Sequence, residues 1–134
     1  MKTKTVLCQH DVARILAAAR AIAQDRGWAV TIAVVDDGGH PLALERMDDC
    51  APIGAYIAVE KARTAALGRR DSKQYEDMIN GGRTAFLSAP VLAGTLTGGI
   101  PLLVDGQVVG AVGVSGVKPD EDALVARTGV DALA

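Results

Sequence analysis

Trp28, Tyr56, Tyr75 and Phe86 are the only aromatic side chains in this chain of 134 residues. Any core must therefore be assembled from Ala, Val, Leu and Ile, and apolar types supply 49% of the sequence. Small side chains let backbones approach closely but bury little area each, at about 25 cal/mol per Å² of apolar surface. A further interface is the natural source of the missing stability, so a homo-oligomer is expected. The length suits one ordinary domain spanning residues 1–134, able to bury roughly two-thirds of its unfolded surface. With 22% charged residues, 15 Gly and only 5 Pro, the composition is globular rather than disordered or collagen-like.

The formal net charge is −2, and the 14 Lys and Arg are scattered singly or in pairs such as Arg69-Arg70. No basic stripe is present to neutralise a phosphate backbone, which argues against nucleic acid and anionic membranes as partners. Cys8 and Cys50 form neither a CxxC motif nor a disulfide framework, as expected in a reducing compartment. The apolar run after the basic N-terminus is only Val6-Leu7-Cys8, too short for a signal sequence, and Asp36 and Asp105-Gly106 interrupt the longer apolar stretches. A soluble, cytoplasmic protein is expected.

Val12, Ile15, Leu16, Ala19, Ile22 and Ala23 follow helical spacing and predict a helix over 9–26, ended by Gly27, with Cys8-x-x-Asp11 where a capping box would stand. Residues 28–36 and 41–47 alternate around Asp37-Gly38-Gly39, which reads as a hairpin. Pro52 opens a second helix closed by Gly68. Asp71-x-x-Gln74 reads as the capping box of a third helix that leaves through Asn80-Gly81-Gly82. Residues 83–99 form a structured loop with a helical turn at 83–88. Residues 100–104 and 107–115 make a second hairpin around Asp105-Gly106, a type I′ signal. Pro119 and three acids then start a last helix running to about Leu133. This order predicts an α+β fold in which both hairpins share one antiparallel sheet flanked by helices.

His10 and His40 are the only histidines, and neither has a Cys or carboxylate partner at zinc-site spacing. Neutral imidazole is nevertheless the commonest axial ligand of haem iron, so both are candidate metal-ligating residues. Gly-x-Ser-x-Gly and P-loop motifs are absent; Ser115 ends a strand with no helix directly after it. Arg46, Lys61 and Arg83, with the Gly98-Gly99 loop, are candidates for a pocket that receives carboxylates, since a guanidinium fork matches that group. Asp36 and Glu60, with Lys61 nearby, are candidates for moving a proton, because a cation and a carboxylate can set each other's pKa.

The segments Ile32-Ala33-Val34-Val35-Asp36-Asp37-Gly38-Gly39-His40, Ala58 to Ala65, Gly98 to Leu102 and Gly106 to Gly116 together resemble the GlcG/HbpS-like family, which includes the C-terminal domain of PduO-type corrinoid adenosyltransferases. The likeness runs from about residue 6 to 133. It implies a profilin-like layered domain, assembly into higher oligomers such as octamers, and haem or corrinoid as cofactor. Together with the element order, the resemblance places the first and last helices on the same face. Two functions follow as expectations. The first is a small-ligand-binding protein, with haem or a corrinoid held by His10 or His40 and propionates met by Arg46 or Arg83. The second is a cofactor-independent catabolic isomerase or hydrolase acting on a small organic acid, with Arg83 holding the carboxylate. In either case the pocket is expected between subunits, because a close-packed, aromatic-poor chain of this size has little with which to frame an internal cavity.

Overall fold

A computed structural model describes residues 1–133. Helix α1 (Gln9–Arg26) buries Val12, Ile15, Ala19 and Ala23, the stripe expected from the spacing, and Gly27 ends it in the left-handed region at φ 70°. At its start the Asp11 carboxylate accepts the Cys8 backbone N–H at 2.9 Å. Strands β1 (Thr31–Asp36) and β2 (Pro41–Arg46) pair as the first hairpin. Strands β3 (Gly99–Val104) and β4 (Gln107–Ser115) pair as the second, with Asp105 and Gly106 both at positive φ as a type I′ turn requires.

The two hairpins join through β1 and β4 into one antiparallel sheet of order β2-β1-β4-β3. On one face α1 and α4 (Pro119–Asp131) cover Ile32, Val34, Ile100, Leu102, Val112 and Val114. On the other, α2 (Ile53–Gly68) lays Ala58, Ala62, Ala65 and Ala66 against Ala33, Val35 and Ala111. The architecture is thus the α+β arrangement expected, with the first and last helices together. The aromatic side chains stay at its margins: Trp28 packs on the edge of the α1 side, and Tyr75 stacks on Phe86 at a centroid distance of 4.9 Å beyond the sheet.

Several boundaries differ from the sequence reading. Gly68 does not close α2 but is its last helical residue, and Arg69 takes the left-handed position at φ 57°. Gly68 answers a packing demand instead, for a Cβ there would lie 2.1 Å from the Tyr75 hydroxyl. Asp71 precedes α3 (Ser72–Asn80) but makes no side-chain cap; its carboxylate receives Arg127 Nη2 at 3.1 Å. A distant cation has outcompeted the local N–H groups. A 3₁₀ turn, Thr84–Ser88, stands where the helical turn was expected, and α4 stops at Asp131 rather than Leu133.

The α2 layer lies unusually close to the sheet because both surfaces carry almost no side chain. A Cβ on Gly113 of β4 would stand 2.1 Å from the Ala58 carbonyl oxygen and 2.5 Å from the Ala62 nitrogen. Gly113→Ala should therefore lift α2 off β4 and lower unfolding stability by about 1–3 kcal/mol, the usual range for overpacking, as read from urea denaturation.

Candidate functional site

Lys61 sits in the middle of α2 and is only 4% exposed. Its ammonium donates to the Val114 carbonyl at 2.9 Å and to Asp122 Oδ2 at 3.0 Å. Asp122, on the first turn of α4, is equally buried and also accepts the Val117 N–H at 3.1 Å. Burial pushes the Asp122 carboxyl above its ordinary pKa, while the Lys61 ammonium and the Val117 N–H pull the other way. The pair links helices on opposite faces of the sheet past the end of β4. It was not legible from Lys61 alone. A signal existed in α4, where Asp122, Val125, Ala126 and Gly129 share helical spacing and therefore one buried face.

The Gly98-Gly99 loop closes over this lysine. A Cβ on Gly98 would lie 2.7 Å from the Val114 carbonyl oxygen and 3.0 Å from Lys61 Nζ, and one on Gly99 would lie 2.1 Å from the Lys61 carbonyl oxygen. Ser72 fastens the loop by accepting the Gly99 N–H at 2.8 Å and donating to the Leu96 carbonyl. Glu76 accepts both the backbone N–H and the hydroxyl of Thr97. Ser72, Glu76 and Thr97 carry no sequence signal for this role, since their partners lie 21 to 27 residues away.

The other expected site residues are distributed over the molecule. Asp36 ends β1 and accepts the N–H groups of Gly38 and His40, each at 2.9 Å, while its carboxylate holds His40 Nδ1 at 3.1 Å. Partial burial works to raise the Asp36 pKa, but the two N–H groups and the His40 ring outweigh it and hold the carboxyl below its usual range. Glu60 is ion-paired with Arg63, whose Nε donates to the Gly39 carbonyl at 3.3 Å. Arg46 ends β2 on the surface, and Arg83 follows α3 on an exposed loop. Lys61 and Gly98-Gly99 are brought together; no hydrogen bond or ion pair among the described residues joins Arg46 or Arg83 to them, or unites Asp36, Glu60 and Lys61.

An open groove of about 520 Å³ runs between α1 and β2, lined by Leu7, Cys8, Gln9, Val12, Ala13, Leu16, Leu42 and Ala43. His10 is exposed on the first turn of α1 and is not among the residues that line the groove. It makes no side-chain hydrogen bond or ion pair among the described residues. Among those residues, too, no three His, Cys, Asp or Glu side chains gather closely enough to hold a metal ion by themselves, and no helix is long and apolar enough to cross a membrane.

An antiparallel four-stranded sheet with two helices on one face and an alanine-rich helix on the other defines a layered α+β protein. The chain belongs to the HbpS-like family, described as haem degrading protein HbpS-like, whose model matches residues 7–131. GlcG of Escherichia coli strain K12 is 64% identical over 115 residues, covering 86% of this chain and 85% of that protein. A double mutant of HbpS from Streptomyces reticuli has a TM-score of 0.90 at 28% identity, covering 100% of this chain and 91% of that one. The structure of a PduOC:haem complex has a TM-score of 0.88 at 27% identity, covering 96% and 95%.

Two outcomes follow from the paired charges. Lys61→Met alone strands a buried carboxylate and should cost about 3–5 kcal/mol in urea denaturation, whereas Lys61→Met with Asp122→Leu should recover most of that loss. Asp36, with a lowered native pKa, contributes stability that is complete above the unfolded value of about 3.9 and is lost as pH falls through the native value. Asp36→Asn should therefore flatten the acid side of a plot of urea midpoint against pH.

Proposed function

We propose that this protein binds haem, as a member of a homo-oligomer of even order, with the groove between α1 and β2 as the seat and His10 as the axial ligand. The groove itself carries the reading: it is an apolar recess beside the start of α1, the helix whose first turn also carries His10. A relative of the same fold is described in complex with haem, which supports that ligand in preference to others. Bound haem would supply an iron centre, and the residues fit it chemically: Leu7, Val12, Leu16 and Leu42 offer an apolar wall to the macrocycle, and His10 an imidazole to the metal. His40 is the weaker candidate, because its ring is already tied to the Asp36 carboxylate. Arg46 and Arg83 do not line the groove, so the propionates need other partners. The corrinoid expectation has no comparable support.

Self-association is supported by the apolar surface left open. Ile53, Tyr56, Leu87 and Val91 are each more than 60% exposed. Ile53 and Tyr56 stand one turn apart on the same side of α2, the kind of exposed apolar patch that an interface covers.

Haemin titration tests the ligand reading. The protein should give a stoichiometric Soret shift that His10→Ala removes and His40→Ala preserves. Absence of any shift, or a shift unchanged when both histidines are replaced, would overturn it.

A further inference from the structure

Ile53, Tyr56, Glu60, Arg63 and Leu67 recur along α2 at alternating steps of three and four residues, the spacing of a helix–helix seam. The stripe points away from the sheet, opposite the alanines that α2 buries. Its apolar members are far from shielded: Ile53 is 62%, Tyr56 77% and Leu67 40% exposed. The charged members occupy the middle of the stripe and are paired with each other.

This pattern is self-complementary. If a second α2 runs antiparallel to the first, about a two-fold axis midway between Glu60 and Arg63, each Glu60 faces the other copy's Arg63. In the same register each Tyr56 faces the other copy's Leu67, and Ile53 lies over the end of the opposite helix. Opposite charges meet at the centre and apolar side chains meet on both sides of it, as an isologous interface demands. The parallel alternative would place Glu60 against Glu60 and Arg63 against Arg63. A heterologous partner would have no reason to match this order, whereas a second copy matches it automatically.

We infer that the outer stripe of α2 is an antiparallel two-fold contact between copies of this chain, in the register that sets Glu60 against Arg63 and Tyr56 against Leu67. The inference rests on the self-association proposed above and specifies the face and the orientation. It also uses a feature of the layering. A helix is about 10–12 Å across and strands are about 4.8 Å apart, so one helix covers about two of the four strands. Leu44 of the edge strand β2, paired across the sheet with Ala33 of the α2 face, remains 44% exposed and extends the apolar surface beside the stripe.

Cross-linking tests the register directly. In the full chain carrying Cys8→Ser, Tyr56→Cys and Leu67→Cys, the two new thiols lie eleven residues apart on one helix, about 16 Å by its rise, and cannot bridge within a chain. Oxidation should therefore give a disulfide-linked dimer on a non-reducing gel. Separately, Glu60→Arg should weaken association about tenfold or more in sedimentation or light scattering, and Glu60→Arg with Arg63→Glu should restore it. All these positions except the half-buried pair are well exposed, and circular dichroism verifies folding of each variant. An assembled wild-type protein with no cross-linked dimer and an unaffected Glu60→Arg variant would overturn this contact alone. A wild-type protein that is monomeric at micromolar concentration would overturn the contact and the self-association reading together.

Discussion

The close approach of α2 to the sheet governs much of this structure. Ala58 and Ala62 rest on Gly113 at a distance that a single Cβ would violate, so the helix has one available depth and little freedom to rotate. Contacts of this kind bury small areas, but they gain dispersion from backbones packed at the density of a protein interior. Once α2 is seated, Lys61 is carried past the end of β4, the glycine loop must fold over it, and the opposite stripe of the helix is turned to solvent. A larger residue at Gly113 would change all three at once.

The Lys61–Asp122 pair is a consequence of that seating. Buried ion pairs are weak sources of net stability, because desolvation consumes much of the Coulomb attraction, yet breaking one leaves an expensive isolated charge. Its place in the fold suggests why the arrangement suits this protein. The two faces of the sheet have separate cores, the one under α2 built of Ala and Val, and an ion pair reaches from α2 to α4 between them. The same pairing withdraws Lys61 from any ligand. Asp36 and Glu60 are likewise committed, the first to its turn and the second to Arg63.

The groove and the outer stripe of α2 lie on different layers. One is bounded by α1 and the adjoining edge of β2, the other faces outward from the opposite side of the sheet. A two-fold contact through α2 would thus leave the groove open. Under the two proposals ligand capture and assembly are separable by substitution, with His10 testing one and Glu60 the other.

Local patterning in the sequence determined the helices, both hairpins and their order, because caps, turns and periodicity act over a few residues. Gly27 and Asp105-Gly106 did what their backbone freedom allows. The overall likeness to a known family was legible for the same reason: it rests on strand-turn and helix segments spread along the chain. Tertiary structure decided what the polar and glycine residues were for. Gly68, Gly98 and Gly99 looked like chain punctuation or anion cradles, and packing assigned them to the Tyr75 ring and the Lys61 backbone. Asp71 looked like a cap and instead found Arg127, 56 residues away. Arg46, Lys61 and Arg83 looked alike as cations for one pocket, and packing buried Lys61 while leaving Arg46 and Arg83 exposed. The physical reason is common to these cases. A side chain's partner is chosen by distance in space, and where the competing local partner is a solvated N–H or an open turn, a buried or charged group from another element wins.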